Sequence, residues 1–255
     1  MKALTAIAAP VVFIGLLLAG WETACRLLEV PSYFLPAPSA IGAALRDNFP
    51  LLARSGWNTL ATALWALLAA SIVASLLALA AGLSGLVEQA IHPLVITLSV
   101  TPIIAIAPIV TIWAGLEHPE RAVVGLAAVV AFFPIFSGVL TGLKSTDPDL
   151  ERLFDLYGAT RWQKLTRLRL PSAAPLILQG HKVAASLAVV GAVVAEFGAG
   201  SGGSQGLAWR ILEASNRLQT AKAFAALFVL AVMGAGLYAL LQIAERRALV
   251  WWRGR

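Results

Sequence analysis

The sequence predicts an all-α integral membrane protein with about six transmembrane helices. Three observations carry that reading. Of 255 residues, 59% are hydrophobic and 13% charged, where an ordinary soluble domain has about a quarter of its residues charged. The apolar residues gather into runs long enough for a helix to cross a bilayer, which takes about 20 residues. The charge gathers between those runs, above all in 147–175, where Asp147, Asp149, Glu151 and Asp155 stand among Arg152, Arg161, Lys164, Arg167 and Arg169.

The first run, 3–20 (1–21 with its flanks), reads as a retained span. A short basic start also suits a cleaved signal, but the candidate site Leu18-Ala19-Gly20 puts Leu at a small-residue position. A lipid anchor at Cys25 fails because Glu22 stands where an aliphatic residue is needed. Pro10 is tolerated in a membrane helix. Between 22 and 56, Pro31, Pro36 and Pro38 bar any through-going helix. Ser39 then reads as the N-cap of an interfacial helix over 40–52, with Ile41, Leu45 and Phe49 at four-residue spacing.

The second span, 57–83, is rich in Ala and Ser, which let helices approach closely. The third, 91–116, holds Pro93, Pro102 and Pro108. Prolines leave carbonyls without donors, and such groups survive only inside protein or beside a watery cavity. This helix is therefore either a kinked structural element or a wall of a solute path, bent at Thr101-Pro102. The fourth span is 122–143, with Pro134 inside it, and the fifth is 176–195, with His181 and Lys182 near its start. Glu196 ends the fifth span, as an interfacial acid or as a gate residue beside the glycine-rich loop 198–206. That loop lacks the Gly-Lys-Ser/Thr of a phosphate loop. A short amphipathic helix over 207–217 and a last span over 223–244 follow. The tail closes with Trp251 and Trp252 for the interface and Arg246, Arg247, Arg253 and Arg255 for the cytoplasm.

The charged stretch needs its own explanation. Leu150, Leu153, Phe154 and Tyr157 fall on one face of a short helix that Gly158 stops. Trp162, Leu165 and Leu168 repeat the pattern in a second helix, closed by Pro171. A loop that only joins spans needs no such apolar faces; a loop that docks onto a partner does.

The residues GATRWQKLTRLRLP resemble the cytoplasmic loop of bacterial ABC-importer permeases, whose signature runs from a Glu-Ala-Ala triplet through a glycine to an aliphatic residue and a Leu-Pro pair. Gly158, Leu168 and Leu170-Pro171 match in register; Arg152-Leu153-Phe154 replace the triplet, with Glu151 one position early. PSYFLPAPSAIGAAL, TPIIAIAPIVTIWAGL and VVAEFGAGSGG resemble the subgroup serving nitrate, sulfonate, taurine and pyrimidine-type solutes. The resemblance implies a fold like the type I importer permeases, one transmembrane domain over 1–255 with its core in 57–244 and a coupling loop at 147–171. It implies that Glu151, Phe154, Asp155, Leu156, Tyr157, Gly158, Ala159, Thr160, Arg161, Leu170 and Pro171 meet an ATPase subunit. Thr97, Thr101, Pro102, Ile106, Pro108 and Glu196 are the expected path and gate residues. The implied partners are two ABC ATPase subunits, a second copy of this chain, an extracytoplasmic binding protein and the bilayer. ATP and Mg belong to the ATPase; this chain holds no cofactor or metal and is no enzyme. AEF before the Gly/Ser run, and FAAL in the last span, resemble pyrimidine- or riboflavin-type permeases more than nitrate ones.

Orientation follows from the basic residues. Those of the charged stretch and tail place both termini and that loop on the cytoplasmic side of a bacterial plasma membrane. The net charge of +6 then reads as loops held near anionic lipid rather than as a nucleic-acid surface. A self-contained carrier or channel is the alternative, but its usual mid-span ionisable relays and inverted repeats are missing. A membrane enzyme would need a nucleophile with a base or a metal. Ser186 and His181 do not share a helix face, and the lone Cys25 with scattered His92, His118 and His181 makes no ligand set.

Overall fold

The computed structural model describes residues 2–115, 118–199 and 205–252, and every regular element among them is a helix. In order these are α1 (Lys2–Leu27), α2 (Pro38–Asp47), α3 (Phe49–Leu83), α4 (Gly85–Val100), α5 (Ile103–Ala114), α6 (Pro119–Lys144), α7 (Pro148–Leu156), α8 (Arg161–Lys164), α9 (Leu170–Ala199), α10 (Leu207–Asn216) and α11 (Thr220–Trp252). A π-helical segment, Leu165–Arg169, joins α8 to α9. Four stretches among the described residues are long and apolar enough to cross a membrane: Phe49–Leu83, Pro119–Lys144, Arg161–Gly198 and Thr220–Val250. The bent pair α4 and α5 makes a fifth if it is one span. The stretch expected as the first span is helical within α1. Most of the glycine-rich run expected as a gate loop, 200–204, lies outside the described residues, as do 116–117 and the tail arginines Arg253 and Arg255.

The chain divides into two compact units, Met1–Trp57 with Gln205–Ala231, and Asn58–Ser204 with Val232–Arg255. In the first unit the expected interfacial helix is shorter than 40–52 and begins earlier. Its N-cap is Ala37, not Ser39, with Pro38 in the first turn, where a proline's missing N–H costs nothing. Ser39 is instead held by α1: Glu22 accepts its backbone N–H at 2.9 Å and its hydroxyl at 2.7 Å. A carboxylate at a helix start complements the exposed N–H groups there. Leu52, assigned to the interfacial helix, opens α3 and is fully buried. Arg210 of α10 donates to the buried Ser55 at 3.1 Å and to Glu213 at 2.8 Å. Trp21 packs on Phe224 with ring centroids 6.0 Å apart.

In the second unit α6 and α9 cross at main-chain contact. A Cβ on Gly180 would stand 2.7 Å from the Pro134 carbonyl oxygen, and one on Gly142 would stand 2.9 Å from the Cβ of Ala173. Gly191 seats against Ala127 and Val130 in the same way. α5 lies against both helices through Ala107, which is buried with Val123, Leu126 and Ala195. The alanines of α3 at 63, 66, 70, 74, 78 and 81 are all buried, the three- and four-residue spacing of a single helix face.

The expected third span differs from a kinked helix. α4 ends at Val100, α5 starts at Ile103, and their axes differ by 105°. Thr101 is extended at φ −71°, ψ 126°, as a residue before proline is forced to be, and Pro102 has no N–H to carry the ladder across. By contrast Pro93 and Pro108 sit inside α4 and α5 without ending them. The fifth span also departs from expectation. Pro171 does not close a loop helix; it lies in the first turn of α9, and the helix runs on past Pro175. The Leu170 N–H reaches back five residues to Leu165. This wider turn gives room where a proline ring in a regular helix would strike the carbonyl of Arg167.

Candidate functional site

The charged stretch forms a tight helical hairpin. Asp147 caps α7, its carboxylate accepting the Asp149 N–H at 2.8 Å. Gly158 ends the first limb at φ +66°, a conformation that costs a side-chain-bearing residue about 1 kcal/mol or more. A Cβ there would meet nothing within 4 Å, so the position asks for glycine on account of its backbone alone. Thr160 and Gln163 then make a reciprocal capping box at 3.3 and 2.8 Å that starts α8.

The hairpin sorts its charged and apolar groups in a way the spacing alone does not give. Glu151 pairs with Arg169 through two bonds, at 2.7 and 3.1 Å, and Arg169 also reaches the Gly82 carbonyl at 3.5 Å. Asp155 pairs with Lys164, and Glu88 of α4 accepts from Lys144 at 2.5 Å. These acids hold the hairpin against the ends of α3, α6 and α9. The apolar residues divide. Leu165 and Leu168 are buried in the π segment, whereas Leu156, Tyr157 and Trp162 are 85%, 83% and 70% exposed. The single apolar face expected for Trp162, Leu165 and Leu168 is therefore split, because a π turn breaks the 3.6-residue period. Beside the exposed residues lies a cleft of about 360 Å³ lined by Leu153, Phe154, Tyr157, Ala159, Gln163 and Arg167. Leu170 and Pro171 sit behind it, at the junction with α9.

The expected path residues do not form one cluster. Thr97 and Thr101 each turn their hydroxyl back along α4, to the carbonyls of Pro93 and Thr97 at 2.9 and 2.7 Å. Pro102 and Pro108 are exposed, while Ile106 packs on the α5–α6–α9 core. Glu196 stands apart from all of these and is not interfacial. α9 continues to Ala199, so Glu196 is inside the helix, 5% exposed, and accepts a hydrogen bond from the buried Thr59 of α3 at 2.8 Å. The sequence offers Thr59 only as one polar residue among the apolar ones of a span. A second ion pair escaped sequence reasoning: Lys182 of α9 donates to Glu245 of α11, with its ammonium 5.9 Å from the Tyr238 ring centroid. Lys182 is thus well within α9 rather than near its start, because that helix begins at Leu170. Among the described residues no three His, Cys, Asp or Glu side chains are placed to hold a metal ion.

A family model described as binding-protein-dependent transport system inner membrane component matches residues 67–250. The chain is 34% identical over 247 residues to the formylaminopyrimidine transport permease protein ThiX of Halalkalibacterium halodurans, covering 95% of each chain. It is 31% identical to the riboflavin transport system permease protein RibX of Chloroflexus aurantiacus, over 92% of this chain and 87% of that one. It is 28% identical to the taurine transport system permease protein TauC of Escherichia coli, over 93% and 87%.

Proposed function

This chain belongs to the family of inner membrane components of binding-protein-dependent transport systems, and from that premise we propose how its geometry serves import. It is the multi-pass permease subunit of an ABC importer, a transport protein of the group whose relatives carry pyrimidine, riboflavin, sulfonate and taurine permease names. In our reading the hairpin α7–α8 docks in a groove of an ATPase subunit, which alone holds ATP and Mg. The carrying observation is the division of its side chains: the acids are engaged within the chain, and Leu156, Tyr157 and Trp162 are left exposed beside the cleft. Exposed apolar anchors beside a concavity are what a partner surface buries.

Two copies of this chain and two ATPase subunits make the transporter, with both termini and the hairpin on the cytoplasmic side. A binding protein delivers solute from the opposite side. ATP binding favours one of two arrangements of the spans, because the ATPase subunits close on it and carry the hairpins with them. α8, the π segment and α9 form one rod, so a push at Tyr157 reaches the helix that packs along α6. The solute we assign is a pyrimidine-type or related heterocycle, on the strength of the formylaminopyrimidine and riboflavin permeases at 34% and 31% identity against 28% for the taurine permease.

Purification of the tagged chain from native membranes tests the partner reading. A stoichiometric ATPase subunit is expected, lost when Tyr157 and Trp162 are both changed to Ala. Gly158→Leu should keep the chain folded, within about 1 kcal/mol of the parent, while transport falls at unchanged ATP hydrolysis. A chain that purifies alone and moves solute without ATP overturns the reading.

A further inference from the structure

The α6–α9 crossing leaves a shallow groove of about 350 Å³ whose floor is backbone, at Gly138 and Gly180, and whose walls carry Ser137, Thr141 and Gln179. None of these three side chains makes a hydrogen bond to another described residue. Thr141 is three residues from the end of α6 and Gln179 nine residues from the start of α9. The polar rim thus reaches about 13 Å into a membrane-spanning helix at 1.5 Å per residue. Unpaired hydroxyl and carboxamide groups at that depth are stable against water or protein, not against lipid tails.

No charged side chain lines the groove. The nearest cation along α9, Lys182, is engaged with Glu245. An anion would find no counter-charge here. Two hydroxyls that both donate and accept, and a carboxamide with both functions, match instead a neutral ring with in-plane donors and acceptors. We propose that Ser137, Thr141 and Gln179 line the translocation path and hydrogen-bond a neutral heterocyclic solute as it passes. This rests on the permease reading and places the path on α6 and α9, away from the α4 residues expected from the sequence.

The sole cysteine, Cys25, is buried, so a Cys25→Ser background allows single cysteines to be placed at positions 137, 141 and 179 of the full transporter. A membrane-impermeant methanethiosulfonate is applied to right-side-out and inverted vesicles. All three positions should be labelled, with rates that change when ATP and vanadate trap the transporter, while Ile72→Cys on the exposed apolar face of α3 stays unlabelled. In parallel, Gln179→Leu should lower uptake of sub-saturating formylaminopyrimidine about ten-fold, the worth of one hydrogen bond, and still retain the ATPase subunit. Positions that react only with a lipid-soluble maleimide, or that join two copies by a disulfide, overturn the proposal. So does a Gln179→Leu variant with unchanged uptake, or a transporter that carries taurine in place of the pyrimidine. Loss of the ATPase subunit from the parent chain would instead overturn the permease mechanism and leave the labelling result to stand by itself.

Discussion

Along α6 and α9, glycines bring two helices together until main chain meets main chain, whereas between α4 and α5 a Thr-Pro step turns the chain through 105°. Both places depend on residues that weaken a helix in water. In the first, the missing side chains are replaced by a neighbour's backbone, and the result is a crossing with no slack. In the second, the missing N–H is replaced by nothing across the break, and α5 holds its place through Ala107 and the residues around it. Helix-breaking residues therefore stiffen the fold where a partner fills the space and loosen it where none does.

Gly180→Leu is the sharpest way to break that contrast. Its Cβ would stand 2.7 Å from a carbonyl oxygen that cannot yield, so a loss of about 3 kcal/mol or more is expected. The check is thermal unfolding in detergent and yield of dispersed protein; a normal melting profile would show the crossing to have slack after all. Arg169→Ala comes next. It frees Glu151 and detaches the hairpin from the base of the crossing, at about 2 kcal/mol for a lost bidentate charged pair. Arg169→Lys should restore stability only in part, because an ammonium cannot match both carboxylate oxygens. Pro102→Ala should move stability by less than about 1 kcal/mol yet alter the transport rate, since only the broken region changes. Equal effects at Gly180 and Pro102 would erase the distinction.

The smallest effect lies outside both regions and serves as a baseline. Hydrogen bonding to Arg210, with the charges of Arg210, Arg217 and Lys222, holds the Glu213 carboxyl below its ordinary value of 4.5. A depressed folded pKa contributes stability that is present above 4.5 and lost as pH falls through the lower value. Melting temperature should therefore drop on acidification below that point, and Glu213→Gln should flatten this part of the profile. A profile unchanged by that substitution would put the acid sensitivity elsewhere.

What the sequence disclosed was the set of local rules. Apolar runs located the spans, Gly158 and the Leu-Pro pair located the hairpin, and Thr101-Pro102 located the break. It did not disclose how those rules combine in space. A proline reads alike as a kink, as at Pro93, or as a 105° turn, as at Pro102, because the outcome depends on what α5 packs against. Glu196 reads as interfacial because its partner Thr59 is 137 residues away. Pro171 reads as a stop because one wide turn before it leaves no mark in residue type.

That wide turn also resets phase. A π segment takes up one residue more than an α-turn, and each residue of an α-helix advances by about 100°. Every side chain after Leu170 consequently points a quarter-turn away from where an uninterrupted helix from Arg161 would aim it. Ala184, Ala188 and Ala195 are buried and Gln179 is exposed under that shifted count. Deleting one residue between 165 and 169 would leave composition and hydropathy almost untouched, yet it would rotate the hairpin relative to the face that α9 presents to α6.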